Sequence, residues 1–158
     1  MQEYLTLFLA GNTLALFTGQ GDDLNLRLYD VRRHNKWARA SVELPSASSQ
    51  LPDNVWPEVR TVAWSPDSIL LAVGKNDDVA HVYDVRCLER GPVLSLEHKT
   101  QLSHYGITVL SWTTETGLRT PNLGLLTGGG DRASIISALS DHFFLLTMTF
   151  RLYSLVGY

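Results

Sequence analysis

The chain has 158 residues, of which 44% are hydrophobic and 18% are charged, and its formal net charge is −3. This composition is that of a globular protein and excludes disorder over most of the chain. The slightly acidic balance gives no electrostatic basis for binding nucleic acid or an anionic membrane. Because Cys87 is the one cysteine, an internal disulfide and a cysteine-based zinc site are excluded, which is typical of a reducing compartment.

Short β-strands separated by turn-forming residues are predicted along the whole chain. The segments 59–64 and 107–112 are β-branched, segment 24–29 alternates apolar and polar residues, and turn formers such as 65–68 lie between them. No stretch has the spacing of a capped amphipathic helix, so the predicted fold class is all-β. In chain order the strands are expected at about 4–9, 14–19, 24–30, 37–43, 59–64, 69–74, 79–85, 93–97, 107–112, 123–128, 133–139 and 143–150.

Two apolar segments raise the question of a signal peptide or a membrane span. Residues 1–10 contain Glu3, and no Lys or Arg precedes Arg27, so the basic start of a signal peptide is missing. The apolar run 143–156 is interrupted by Arg151 and is shorter than the roughly 20 residues that a span needs. We therefore expect no membrane partner.

A repeat with a period of 54 residues organises the predicted strands. The sequence Tyr-Asp-Val-Arg occurs at 29–32 and again at 83–86, each time with an aspartate six positions before the Tyr. These aspartates occupy equivalent turns, which favours a structural role over an acid/base array. The three units span about 4–43, 59–97 and 107–150, and their turn aspartates are Asp23, Asp77 and Asp131.

The middle unit resembles a WD40 repeat. The Ser-Pro-Asp turn at 65–67 and Asp77 lie where that family has them, and Tyr-Asp at 83–84 stands in place of the name-giving Trp-Asp. The resemblance is strong over 59–86, weaker over 4–32 and 107–132, and absent after about 133. It implies four-stranded antiparallel blades of a β-propeller.

Propellers contain about 4–8 blades, whereas this chain has about three repeat units. We therefore interpret residues 1–158 as a partial WD40-repeat domain, an incomplete β-propeller, with an irregular C-terminal tail at 133–158.

Many blades of the family are held by a hydrogen-bonded set of His, Ser or Thr, Asp and Trp. The resemblance implies that His104, Thr127 and Asp131 supply three members in the third unit. In the middle unit Val73 replaces the Ser or Thr, so weaker locking is expected there.

The sequence contains no motif for catalysis, a cofactor or a metal. The dinucleotide fingerprint, the P-loop and Gly-x-Ser-x-Gly do not occur, and the glycines at 128–130 are predicted to form a tight turn. The five histidines are not at metal-ligand spacing. The basic residues around Trp37 lack the interleaved aromatics of a nucleic-acid surface. We predict no catalytic residue, no metal and no cofactor.

The resemblance implies an intracellular scaffold, cytoplasmic or nuclear, that binds other proteins or peptides. Association with further blades, or self-association through open sheet edges, is also expected of an incomplete propeller. Two alternatives stay open, namely an enzyme with a central propeller site and a truncated gene-model fragment without independent function. If the blades stand as in the family, one face collects the candidate binding residues Trp56, Glu58, Lys75, Asn76, His104, Tyr105 and Arg132.

Overall fold

The computed structural model describes residues 6–19, 23–33, 38–45, 55–98, 106–115, 122–129, 133–139 and 146–151. Within these ranges the chain forms three four-stranded antiparallel sheets, which we call blades 1, 2 and 3. Each blade is a meander in which strands adjacent in sequence are hydrogen-bonded neighbours. The one described helix is a single 3-10 turn at Leu88–Arg90, and no described helix is long and apolar enough to cross a membrane.

All twelve predicted strands are present, each within three residues of its expected bounds. Blade 1 contains β1 (Thr6–Ala10), β2 (Thr13–Thr18), β3 (Asn25–Asp30) and β4 (Ala40–Glu43). Blade 2 contains β5 (Val59–Trp64), β6 (Leu70–Lys75), β7 (Val79–Asp84) and β8 (Leu94–Glu97). Blade 3 contains β9 (Ile107–Glu115), β10 (Asn122–Gly129), β11 (Ala133–Leu139) and β12 (Leu146–Arg151). The prediction of an all-β, incomplete propeller is confirmed.

Blade 2 lies between blades 1 and 3 and is buried on both faces. Successive residues of a strand point to opposite faces, so Leu71, Val73 and Tyr83 pack against blade 1 while Ala72 and Val82 pack against blade 3. Because both faces are covered, β6 and β7 read as nearly continuous apolar runs. The buried partners are Ala15, Phe17, Leu24, Leu26, Leu28 and Leu44 from blade 1 and Ile107, Leu110 and Leu125 from blade 3.

The turn between β5 and β6 is held by its own side chains. The Ser65 hydroxyl donates to the Asp67 carboxylate at 2.6 Å and accepts from the Leu70 N–H at 2.8 Å. The Asp67 carboxylate also accepts a hydrogen bond from the Ile69 N–H at 3.0 Å. The hydrogen bond from Ser65 lowers the pKa of Asp67. The turn chemistry expected of the Ser-Pro-Asp sequence is therefore present.

The repeated Tyr-Asp-Val-Arg sequence forms the same local bridge in blades 1 and 2. Asp30 accepts hydrogen bonds from the backbone N–H and the guanidinium of Arg32, and Asp84 accepts the equivalent bonds from Arg86. These hydrogen bonds hold the pKa of each aspartate below its usual value. The motif that reveals the repeat therefore marks the exit from the third strand of a blade.

Candidate functional site

The segment that leads into β5 presents Trp56 to solvent. Its side chain is 62% exposed, although tryptophan is normally among the more buried residue types. The backbone on either side is fixed by Asn76, which is only 2% exposed. The Asn76 side-chain amide donates to the Trp56 carbonyl at 2.8 Å and accepts from the Glu58 N–H at 2.9 Å. The Asn76 N–H also donates to the Glu58 carbonyl at 3.2 Å.

Two residues after Trp56, Glu58 forms an ion pair with Arg60. A guanidinium nitrogen of Arg60 lies 2.6 Å from a carboxylate oxygen of Glu58. Both side chains are partly exposed, so the pair contributes little to folding. The pair leaves partly exposed polar groups close in sequence to an exposed aromatic residue, and protein interfaces commonly combine the two. We call the exposed parts of Trp56, Glu58 and Arg60 the Trp56 surface.

Lys75 lies inside the protein. Its side chain is 1% exposed, and its ammonium nitrogen lies 2.5 Å from the Asp77 carboxylate and donates a second hydrogen bond to the Pro45 carbonyl. Strand alternation places Lys75 on the same face as Val73, which packs against blade 1. Lys75 and Asn76 were expected on the exposed candidate face, and this expectation is wrong because both residues are buried. Lys75 joins blades 1 and 2, and Asn76 holds the segment that carries Trp56.

Buried groups next to this ion pair have shifted pKa values. His81 lies within hydrogen-bond distance of Ser95, with 2.8 Å between Nδ1 and Oγ. The pKa of His81 is lowered to about 4, mainly by burial and in part by the Lys75 ammonium, whereas the Asp77 carboxylate acts in the opposite direction. Burial also raises the pKa of Tyr83, whose hydroxyl has no hydrogen-bond partner among the described residues. Tyr83 stands where the resemblance places the Trp of a blade.

The junction between blades 2 and 3 contains a histidine that is not among the predicted site residues. His98 is buried, and its Nε2 lies 2.7 Å from the hydroxyl of Thr127. The expected partner of Thr127 was His104, which lies outside the described residues. The position of His98 directly after β8 could have indicated this contact, because the chain passes from the last strand of one blade to the next blade.

Two further contacts close this junction. The Trp112 indole N–H donates to the Ala63 carbonyl of blade 2 at 2.9 Å. Gly106 has a φ of +65°, and a Cβ atom there would lie 2.2 Å from the Asn76 Cα. A side chain at Gly106 would therefore displace the residue that holds the Trp56 segment.

The remaining candidates divide between described and undescribed parts of the chain. Asp23 precedes β3 and is exposed, whereas Asp77 precedes β7, is buried, and accepts a hydrogen bond from the Val79 N–H at 3.3 Å. Within the described ranges no three His, Cys, Asp or Glu side chains are grouped so that they could hold a metal ion. The candidates outside the described residues are His104, Tyr105, Asp131 and Arg132.

Comparison with known proteins shows the fold and no family. No protein-family model and no curated protein matches the chain. Among solved structures, it is similar to a chain of "Crystal Structure of Mitotic Checkpoint Complex", with 21% identity and a TM-score of 0.55 over 84% of this chain and 35% of that chain. It is also similar to a chain of "Complex structure of the fission yeast SREBP-SCAP binding domains", with 15% identity and a TM-score of 0.58 over 95% and 37% of the two chains. The chain thus spans little more than a third of the length of either structure.

Proposed function

We propose that the chain is a non-catalytic WD40-type scaffold that binds other proteins or peptides through the Trp56 surface. The repeat in its sequence and its three propeller blades support the family assignment. The two similar structures are those of protein complexes, which agrees with a binding role. Propellers typically carry their binding residues on loops held by a rigid scaffold.

The exposed indole of Trp56, carried by a backbone that Asn76 holds in place, is the observation that carries this proposal. Tryptophan is enriched at the energetic centres of interfaces because it buries a large apolar area when a partner covers it. The hydrogen bonds from Asn76 fix the backbone at Trp56 and Glu58 before any partner arrives. Such preorganisation reduces the conformational entropy that is lost on binding. The nearby Glu58–Arg60 pair supplies polar groups that can orient a partner.

The proposal is tested by selecting ligands for the chain and asking where they bind. A display library of unstructured peptides is selected on the 158-residue chain, and affinities are measured for the wild type, Trp56→Ala and Val93→Ala. Val93 is the matched control because its apolar side chain is 55% exposed and it lies beside the opposite edge strand of blade 2.

We expect Trp56→Ala to weaken the selected peptides by about 30-fold and Val93→Ala to change affinity by less than about 2-fold. Equal affinities of the wild type and Trp56→Ala for every selected peptide would refute the Trp56 surface as the binding site. Circular dichroism of both variants checks that the fold is retained, as expected for substitutions of exposed side chains.

A further inference from the structure

The end of blade 2 that carries Trp56 also carries several acidic residues. Neighbouring strands of the blade are antiparallel, so the start of β5, the turn between β6 and β7, and the end of β8 all lie at that end. These three segments contain Glu58, Asp78 and Glu97, each of which is at least partly exposed. Strand direction therefore places three carboxylates at the same end of the blade as the exposed indole.

Hydrogen bonds join the three segments to one another. Asn76, in the turn between β6 and β7, binds the backbone of Trp56 and of Glu58. The N–H of His98, the residue after Glu97, donates to the Asp78 carbonyl at 2.9 Å. The acidic residues are thus carried by backbone segments that are fixed to the segment of Trp56.

Blade 1 adds a fourth acidic residue to this end. Glu43 is the exposed last residue of β4, and two residues later the Pro45 carbonyl accepts a hydrogen bond from Lys75 of blade 2. Lys75 adds no net charge there, because it is buried in an ion pair with Asp77. We call this set of four residues the acidic rim. Its members are Glu43, Glu58, Asp78 and Glu97.

The two ends of blades 1 and 2 differ in charge. At the end with Trp56, Arg60 is the one exposed cation among the described residues of these blades, and it is paired with Glu58. Exposed Asp23, which precedes β3, adds to the acidic rim there. At the opposite end the positive and negative charges nearly balance. They are those of Arg32, Arg33, Arg39, Arg86 and Arg90 and of Asp30, Asp67, Asp84 and Glu89.

We infer that the Trp56 surface selects cationic partners, namely peptide segments that place a Lys or Arg side chain at Trp56. This inference rests on the proposed function, because it names the partner of the same surface. Tryptophan attracts a cation to its ring face more strongly than the other aromatic side chains, which adds about 2–5-fold in affinity at exposed sites. The acidic rim attracts the same side chains and repels acidic ones.

Other segments find less at this end of the blade. The cation that an acidic segment would need is Arg60, which already has Glu58 as its partner, and the segment would face the acidic rim. An uncharged apolar segment would gain from the indole and not from the rim. Charge complementarity therefore favours the cationic segment.

The test compares two synthetic peptide libraries that share their apolar positions and differ in carrying either Lys and Arg or Asp and Glu at the charged positions. Both are bound to the 158-residue chain, and affinities are measured by fluorescence anisotropy at low and at physiological salt. We expect the best basic peptides to bind about 10-fold or more tighter than the best acidic ones. Their affinity should fall as salt is added, because the acidic rim is exposed.

The Trp56→Ala variant separates this inference from the proposed function. Equal affinities of the two libraries, both weakened by Trp56→Ala, would overturn the inference and leave the proposed function standing. Binding of basic peptides that Trp56→Ala leaves unchanged would refute the Trp56 surface, and the inference with it.

Charge reversal shows whether the acidic rim is the cause. Glu43→Lys and Glu97→Lys should each weaken the basic peptides by about 3–10-fold. Glu89→Lys is the matched control, because it makes the same change at an exposed glutamate at the opposite end of blade 2, and it should change affinity by less than about 2-fold. Far-UV circular dichroism checks that each variant is folded. Equal losses in all three folded variants, or no loss in the two rim variants, would overturn the inference.

Discussion

Replacing Lys75 with methionine tests the buried ion pair between blades 1 and 2. Both side chains of the Lys75–Asp77 pair are at most 1% exposed, so the variant leaves a buried carboxylate without its counter-ion. It also removes the hydrogen bond to the Pro45 carbonyl. Breaking one side of a buried pair typically costs about 3–5 kcal/mol. Because small domains have a free energy of unfolding of about 5–15 kcal/mol, the loss should be large.

The assay is urea denaturation followed by tryptophan fluorescence, on four proteins: the wild type, Lys75→Met, Asp77→Asn and the double variant. Removing both charges leaves neither member of the pair buried without the other, so the double variant should be less destabilised than the sum of the two. We expect a coupling free energy of about 2–3 kcal/mol.

The exposed Glu58–Arg60 pair provides a control of the same charge type, and Arg60→Met should cost less than about 1 kcal/mol. If Lys75→Met costs no more than Arg60→Met, or if the two charge removals at Lys75 and Asp77 are additive, the reasoning about this pair is refuted.

Three further predictions concern stability, each with urea midpoints as the measurement. The pKa of His81 is lowered, mainly by burial, from 6.5 to about 4, so on acidification the unfolded chain binds a proton at His81 before the folded chain does. The free energy of unfolding should therefore fall by up to about 3 kcal/mol between pH 6.5 and 4. A His81→Asn variant with the same pH profile would contradict this. Gly106→Ala should cost about 1–3 kcal/mol more than Gly91→Ala, because both positions have positive φ but only Gly106 is crowded; equal costs would argue against the contact. Trp112→Phe should cost about 1 kcal/mol through the lost interblade hydrogen bond, in addition to the effect of the smaller ring. Trp64→Phe should cost less, because the buried Trp64 indole N–H has no hydrogen-bond partner within the described ranges; the reverse order would contradict the assignment.

The strands could be predicted because their signals are local. Alternation, β-branched residues and turn formers such as Ser65 and Asp67 lie within a few residues of the structure they specify. The 54-residue period then assembled the strands into units. The local strand pattern and the repeat period are both visible without knowledge of the packing between blades. For this reason the three blades could be predicted.

The candidate site was predicted less well because exposure depends on packing between blades. Lys75 and Asn76 follow an apolar strand and have the composition of a surface turn, yet blade 1 and the segment before β5 cover them. His98 was passed over because a loop of unknown path separates it from β9, and its contact with Thr127 joins residues 29 apart in sequence. Trp56, a candidate because it lies in the loop before the first strand of the central blade, is exposed, and its role in binding stays a prediction.

The central claim is that partners bind at Trp56, and an NMR titration tests it most directly. The chain has four tryptophans, whose indole N–H signals can be assigned by replacing each in turn with phenylalanine. A selected peptide should shift the Trp56 signal strongly and leave that of Trp64 nearly unchanged, because the Trp64 indole nitrogen is buried and has no hydrogen-bond partner among the described residues. An unmoved Trp56 signal in the presence of saturating peptide would contradict the proposed binding surface.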